Sequence, residues 1–157
     1  MEFFPTMRFM VCSALAAALF LSGCAGNSDI QTVQTTPPEF AALGLLPNGS
    51  YSHAFDVSQD GSIVVGTAEN ASGDETAFTW TKAGGLRPLE NGLGGGRSDG
   101  TAVSDDGNVI AGGARLANNR QRAFRKSGGG AMQDLGVTTG QTAFGIGISG
   151  DGSTVVG

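Results

Sequence analysis

Hydrophobic and polar positions between residues 53 and 89 follow the pattern of short strands. The continuous apolar run IVVG is typical of a strand that is covered on both faces. The segment AFTW alternates, which places Phe78 and Trp80 on one face of a strand. SQDG and KAGG supply turn residues between such segments, and Asp-Gly suits a tight hairpin because Gly accepts positive φ. The pattern predicts four strands, at about 53–58, 62–67, 76–81 and 86–89.

A ten-residue motif recurs along the chain. VSQDGSIVVG begins at Val57, VSDDGNVIAG at Val103 and ISGDGSTVVG at Ile148, so the three Asp-Gly turns are 46 and 45 residues apart. The Ala-Phe pair and a leucine keep the same period of 46. This spacing predicts repeats at about 52–97 and 98–142, a partial repeat at 143–157 and a leading strand at about 41–46. The predicted structural turn residues are Asp60, Gly61, Asp106, Gly107, Asp151 and Gly152.

A period of this length predicts an all-β fold. Four short antiparallel strands in about 40–50 residues are typical of a β-propeller blade. A β-solenoid is the alternative, although hairpin turns favour blades over a parallel winding. About 2.5 blades would make an incomplete ring with exposed sheet edges. We therefore expect either a truncated chain or several chains that assemble one ring.

Composition narrows the functional classes. The chain has 27 glycines in 157 residues, against a usual share of roughly 7%, and this density suits many turns. The net charge of −5 argues against general nucleic-acid binding, which needs a basic surface.

The N-terminal residues predict export. Arg8 precedes an apolar run that ends near Leu21 and is too short for a membrane span of about 20 residues. Either Met1 or Met7 is the start. The run ends in Leu21, Ser22, Gly23 and Cys24, which resemble the lipobox of bacterial lipoproteins. The resemblance implies a signal peptide at 1–23 and a lipidated Cys24. An ordinary secreted or periplasmic protein is the alternative.

The resemblance to the lipobox also implies a cellular location. Several acyl chains on Cys24 would hold the protein on a bilayer. Residues 24–40 then form the lipidated end and a polar, flexible tether. Ala25 after the cysteine favours the outer membrane or cell surface. Cys12 leaves with the signal peptide, so the folded part has no thiol.

The repeated motifs themselves resemble those of a known family. HAFDVSQDGSIVVG, AFTW and AMQDLG are similar to the HAF repeat of extracellular bacterial proteins, and the resemblance covers 41–157. The second repeat departs from the family pattern, because Lys126 stands where the first repeat has Trp80. The family implies an extracellular repeat protein and carries no activity with it.

Other candidate chemistry is sparse. The three Asp-Gly turns could hold Ca²⁺, but each shares only one aspartate and Asp105 adds a second in one copy, so structural turns are favoured and no metal is predicted. His53 has no marked catalytic or metal partners. The Gly runs at 92–96 and 127–131 lack a following Gly-Lys-Ser/Thr, so both are predicted to be turns. The basic segment 115–126 is either a solvated loop or a site for an acidic surface.

The sequence thus predicts a lipid-anchored repeat protein with a binding or structural role, no cofactor and no catalysis. Its expected partners are the membrane, through the anchor, and either a polysaccharide or protein ligand or another copy of itself. The alternative is the N-terminal part of a larger propeller enzyme whose active site lies beyond residue 157.

Overall fold

Three antiparallel sheets make up the part of the chain that the computed structural model describes, residues 40–90, 92–136 and 142–157. These residues belong to one compact unit, Phe40–Gly157. They contain no helix, and so none that could cross a membrane. The predicted signal peptide at 1–23, the lipobox and residues 24–39 of the tether lie outside the described residues.

The sheets follow one another along the chain, and neighbouring strands pair in chain order. The first sheet contains β1 (Ser52–Val57), β2 (Val64–Glu69), β3 (Glu75–Thr81) and β4 (Gly85–Pro88). The second contains β5 (Gly94–Val103), β6 (Val109–Leu116), β7 (Gln121–Ser127) and β8 (Gln133–Asp134). The third is a hairpin of β9 (Gly147–Ile148) and β10 (Val155–Val156).

The expected all-β class is confirmed, and the described sheets form no closed barrel. The four predicted strands of the first repeat exist, with ends displaced by at most two residues. Two predictions were wrong. Residues 41–46 form no strand, because they cover the first sheet with Leu43 and Leu46 instead of pairing with it. The Gly run at 92–96 is not simply a turn, since β5 begins at Gly94.

Each four-stranded sheet has the same irregularity and the same glycine. The β1–β2 register shifts between Ala54 and Asp56, and the β5–β6 register shifts between Gly100 and Ala102, 46 residues later. A Cβ added at Gly66 or Gly112 would overlap the carbonyl oxygen of the neighbouring strand, at His53 or Asp99 respectively. The glycine at the end of each repeated motif therefore allows the backbones of the two neighbouring strands to approach closely.

The main core lies between the first and second sheets. β5 contacts β1, β2 and β3, so the second sheet packs on the first through its leading strand. Val65 and Ala77 of the first sheet share an apolar cluster with Val103, Ile110 and Phe124 of the second. A smaller cluster on the opposite side of the first sheet contains Leu43, Leu46, Ala68, Phe78, Trp80 and Leu86.

The two clusters are built in the same way. Phe78 and Phe124 are both fully buried, and their rings lie against Gly66 and Gly112 respectively. Leu43 belongs to the cluster of Phe78, and Leu89, 46 residues later, belongs to the cluster of Phe124. Successive sheets thus repeat their packing as well as their strand order.

Candidate functional site

The three Asp-Gly turns share one hydrogen-bonded structure. In the first, Ser58 N–H donates to the Ile63 carbonyl at 2.9 Å, and Gly61 N–H donates to the Ser58 carbonyl at 2.9 Å. The same two bonds recur between Ser104, Gly107 and Val109 and between Ser149, Gly152 and Thr154. The turn is therefore a six-residue loop closed by its serine.

Side chains complete each loop. The Ser58 hydroxyl donates to Asp60 Oδ1 at 2.7 Å and accepts from Ile63 N–H at 3.0 Å. Asp60 Oδ1 also accepts from Ser62 N–H at 2.9 Å. Corresponding bonds of 2.6–3.0 Å hold the loops around Asp106 and Asp151. The carboxylate thereby orders the loop that contains it.

The glycine of each loop has the backbone conformation that the sequence requires of it. Gly61, Gly107 and Gly152 have φ of 73°, 73° and 71°. L side chains rarely adopt this region, which costs glycine nothing in steric strain. The structure thus places all six predicted turn residues in these loops.

Hydrogen bonds to the carboxylates favour their charged form. Ser62 N–H and the Ser58 hydroxyl lower the pKa of Asp60 to about 2. The Ser149 hydroxyl and Ser153 N–H lower the pKa of Asp151 to about 2. The Ser104 hydroxyl and Asn108 N–H lower the pKa of Asp106.

The loops also bond to one another across the sheets. Gln59 N–H donates to the Asp105 carbonyl at 3.1 Å, and Asp105 N–H donates to the Gly150 carbonyl at 2.9 Å. These three residues occupy the same position in successive loops. The bonds form a ladder that joins the first, second and third sheets.

Close packing accompanies the ladder. A Cβ added at Gly107 would lie 2.6 Å from Ile63 Cγ1, and one added at Gly152 would lie 2.6 Å from Val109 Cγ2. Each loop glycine therefore rests on a β-branched residue of the preceding loop. An added Cβ at Gly61 meets nothing within 4 Å, because the described residues place no equivalent loop beside it.

Further bonds cross the two junctions in addition to the ladder. Val103 N–H donates to Asp56 Oδ2 at 2.8 Å, and the Thr67 hydroxyl donates to Asp99 Oδ1 at 2.7 Å. At the second junction, Arg125 Nε donates to the Gly152 carbonyl at 3.1 Å. The polar groups at the junctions thus serve contact between sheets.

Sequence reasoning missed the serines. Ser58, Ser104 and Ser149 close their loops, yet only the Asp-Gly pair was singled out. Their regular spacing could have identified them, because a serine lies two residues before the aspartate in all three copies of the motif. Ser104 is completely buried, so its hydroxyl belongs to the core as well as to the loop.

The basic segment 115–126 does not form one exposed patch. Arg125 bonds to the third hairpin, and the buried Lys126 donates through Nζ to the Gly130 carbonyl. Arg122 Nε lies 3.6 Å from Asp134 Oδ2. These side chains are engaged within the fold, which leaves less of the segment for an acidic surface.

The remaining candidates have structural surroundings. His53 lies on β1 with its ring edge-to-face on Tyr51, 5.3 Å between centroids. Phe78 is buried, and Trp80 is half-buried in the same cluster. The run at 127–131 lies in the turn between β7 and β8. Within the described ranges no three metal-ligating side chains come together.

Fold and loops together define a class, an all-β protein of stacked antiparallel sheets joined by a hydrogen-bonded ladder of loops. No protein-family model, curated protein or solved structure matches this chain.

Proposed function

We propose that the chain is a lipid-anchored repeat protein of the outer membrane or cell surface, with a binding or structural role rather than a catalytic one. One observation carries the role: the described residues build the same loop three times and the same loop-to-loop bond twice. Repeated units that contact only their neighbours are typical of proteins that present extended surfaces.

The sheets in this proposal are propeller-like blades of the HAF type. Each of the first two has four antiparallel strands paired in chain order, and each following unit packs its leading strand on the unit before it. This antiparallel order supports blades over the parallel coils of a solenoid.

The anchor rests on the sequence. Leu21, Ser22, Gly23 and Cys24 follow an apolar segment of signal-peptide length. The polar residues before Phe40 would then separate the folded repeats from the bilayer.

Acylation of the natural chain tests the proposal. The intact mass of protein from the membrane fraction is compared with that of Cys24→Ala, with Cys12→Ala as the matched control. We expect acyl chains on the wild type and on Cys12→Ala, both beginning at Cys24, and none on Cys24→Ala. An unacylated wild type, or acylation that survives Cys24→Ala, would overturn the anchor.

A further inference from the structure

Among the described residues, the first sheet and the third hairpin each have an exposed face, and these two faces carry the two halves of one junction. We define the front face as Val57, the Gln59 carbonyl and Gly61, and the rear face as the Gly150 N–H, Thr154 and Val156. The front face belongs to the first loop and its strand, and the rear face to the third hairpin.

The apolar residues of these faces have buried counterparts at the first junction. Val103 occupies the position of Val57 one repeat later, and Val65 occupies the position of Val156 two repeats earlier. Val65 and Val103 are 0% and 6% exposed and share the cluster between the first two sheets. Val57 and Val156 are 51% and 58% exposed. The same pair of positions is thus covered inside the stack and open at its ends.

The polar groups are also complementary. Within the stack, the donor is the N–H of one loop and the acceptor is the carbonyl of the next. In the described part of the chain, the Gln59 carbonyl accepts no such bond and the Gly150 N–H donates none. One end therefore offers an acceptor and the other offers the matching donor.

The shapes match as well. Gly107 and Gly152 each rest on a β-branched residue of the preceding loop, and Thr154 is the β-branched residue at that position in the third hairpin. Gly61 has open space where such a residue would lie. The segment that contains Leu43 does not block this approach, since Leu89 occupies the same place within the existing junction.

We propose that the front face of one chain binds the rear face of a second copy, head to tail. The contact would extend the internal junction between chains: Gly150 N–H would donate to the Gln59 carbonyl, and Gly61 would rest on Thr154. An interface between two different faces is heterologous, so it forms either a closed ring or a filament. This inference deepens the proposed structural role, and its test does not depend on acylation.

Sedimentation velocity of the full chain carrying Cys24→Ala, which excludes association through lipid, gives the first measurement. We expect mass to rise with protein concentration. Val57→Lys blocks only the front face and Val156→Lys only the rear face, so each variant alone should remain monomeric. Ala117→Lys adds the same charge at an exposed position in the turn between β6 and β7, away from both faces, and this control should associate like the parent.

Mixing the two blocked variants gives the decisive result. Each retains one intact face, so a heterologous contact predicts a 1:1 dimer that grows no further. Circular dichroism checks that each variant is folded. A parent that is monomeric at every concentration, a mixture that stays monomeric, or association that survives either single substitution would overturn the proposal. Failure here leaves the acylation result unaffected.

Discussion

At the scale of single residues, the serine and the aspartate make different hydrogen bonds in each loop. Asp60 accepts hydrogen bonds from within its own loop, whereas Ser58 links the two strands that the loop joins. The Asp-Gly pair could be predicted because positive φ and local carboxylate bonding are properties of short segments. The role of serine could not, because it depends on which strand ends meet.

Ser104→Ala tests that role. The substitution removes the acceptor of Val109 N–H, in a loop where both residues are buried. A buried donor left without a partner costs about 1–3 kcal/mol of unfolding free energy. Urea denaturation measures the loss, and Ser149→Ala, in a more exposed loop, should lose less. Equal stabilities of wild type and Ser104→Ala would contradict the role given to the hydroxyl.

Acid should weaken the loops through their aspartates. The folded pKa values of Asp60 and Asp151 are about 2, and that of Asp106 is also lowered. A depressed folded pKa stabilises the protein fully above the unfolded value, about 4, and this stabilisation is lost as pH falls toward 2. The unfolding free energy should therefore decrease through this window.

The triple variant Asp60→Asn, Asp106→Asn and Asp151→Asn isolates this effect from other carboxylates. Asparagine keeps a side-chain oxygen that can accept the loop bonds but does not titrate. Urea denaturation between pH 6 and pH 2 should show a smaller decrease in the triple variant than in the wild type. Parallel curves would mean that these carboxylates do not contribute to acid sensitivity.

At the scale of the strand, glycine sets how closely neighbouring backbones approach. The apolar run and its closing glycine predicted a buried strand, and β2 and β6 are largely buried. The same kind of pattern wrongly predicted a strand at 41–46. Leucines at that position fit a strand or a covering segment equally well, and only the packing on Phe78 separates them.

Gly112→Ala should be strongly destabilising. Its Cβ would overlap the Asp99 carbonyl and lie 2.9 Å from the Phe124 ring. Overpacking of this kind costs about 1–3 kcal/mol. Gly129→Ala is the control, because an added Cβ there meets nothing within 4 Å and its φ is not positive. Similar thermal unfolding midpoints for the two variants would contradict the packing described for β6.

At the scale of the whole molecule, stability depends on junctions between sheets. The 46-residue period predicted that units would repeat, and it could be read directly from the sequence. It did not predict that the loops would bond to one another, because hydrogen bonds between repeats depend on how the sheets stack. The relation between Gln59, Asp105 and Gly150 therefore appears only in the folded chain.

Amide hydrogen exchange tests this junction most directly. Gln59 and Asp105 are exposed loop residues whose N–H groups nevertheless have carbonyl acceptors in the next loop, whereas Gly150 N–H has none within the described residues. The measurement uses the Val57→Lys variant at low concentration, so that association between chains does not protect Gly150. After correction for intrinsic rates, we predict that Gln59 and Asp105 exchange at least about tenfold more slowly than Gly150. Equally fast exchange at all three amides would contradict the stacked ladder on which the description of the junctions and the proposed contact between chains rest.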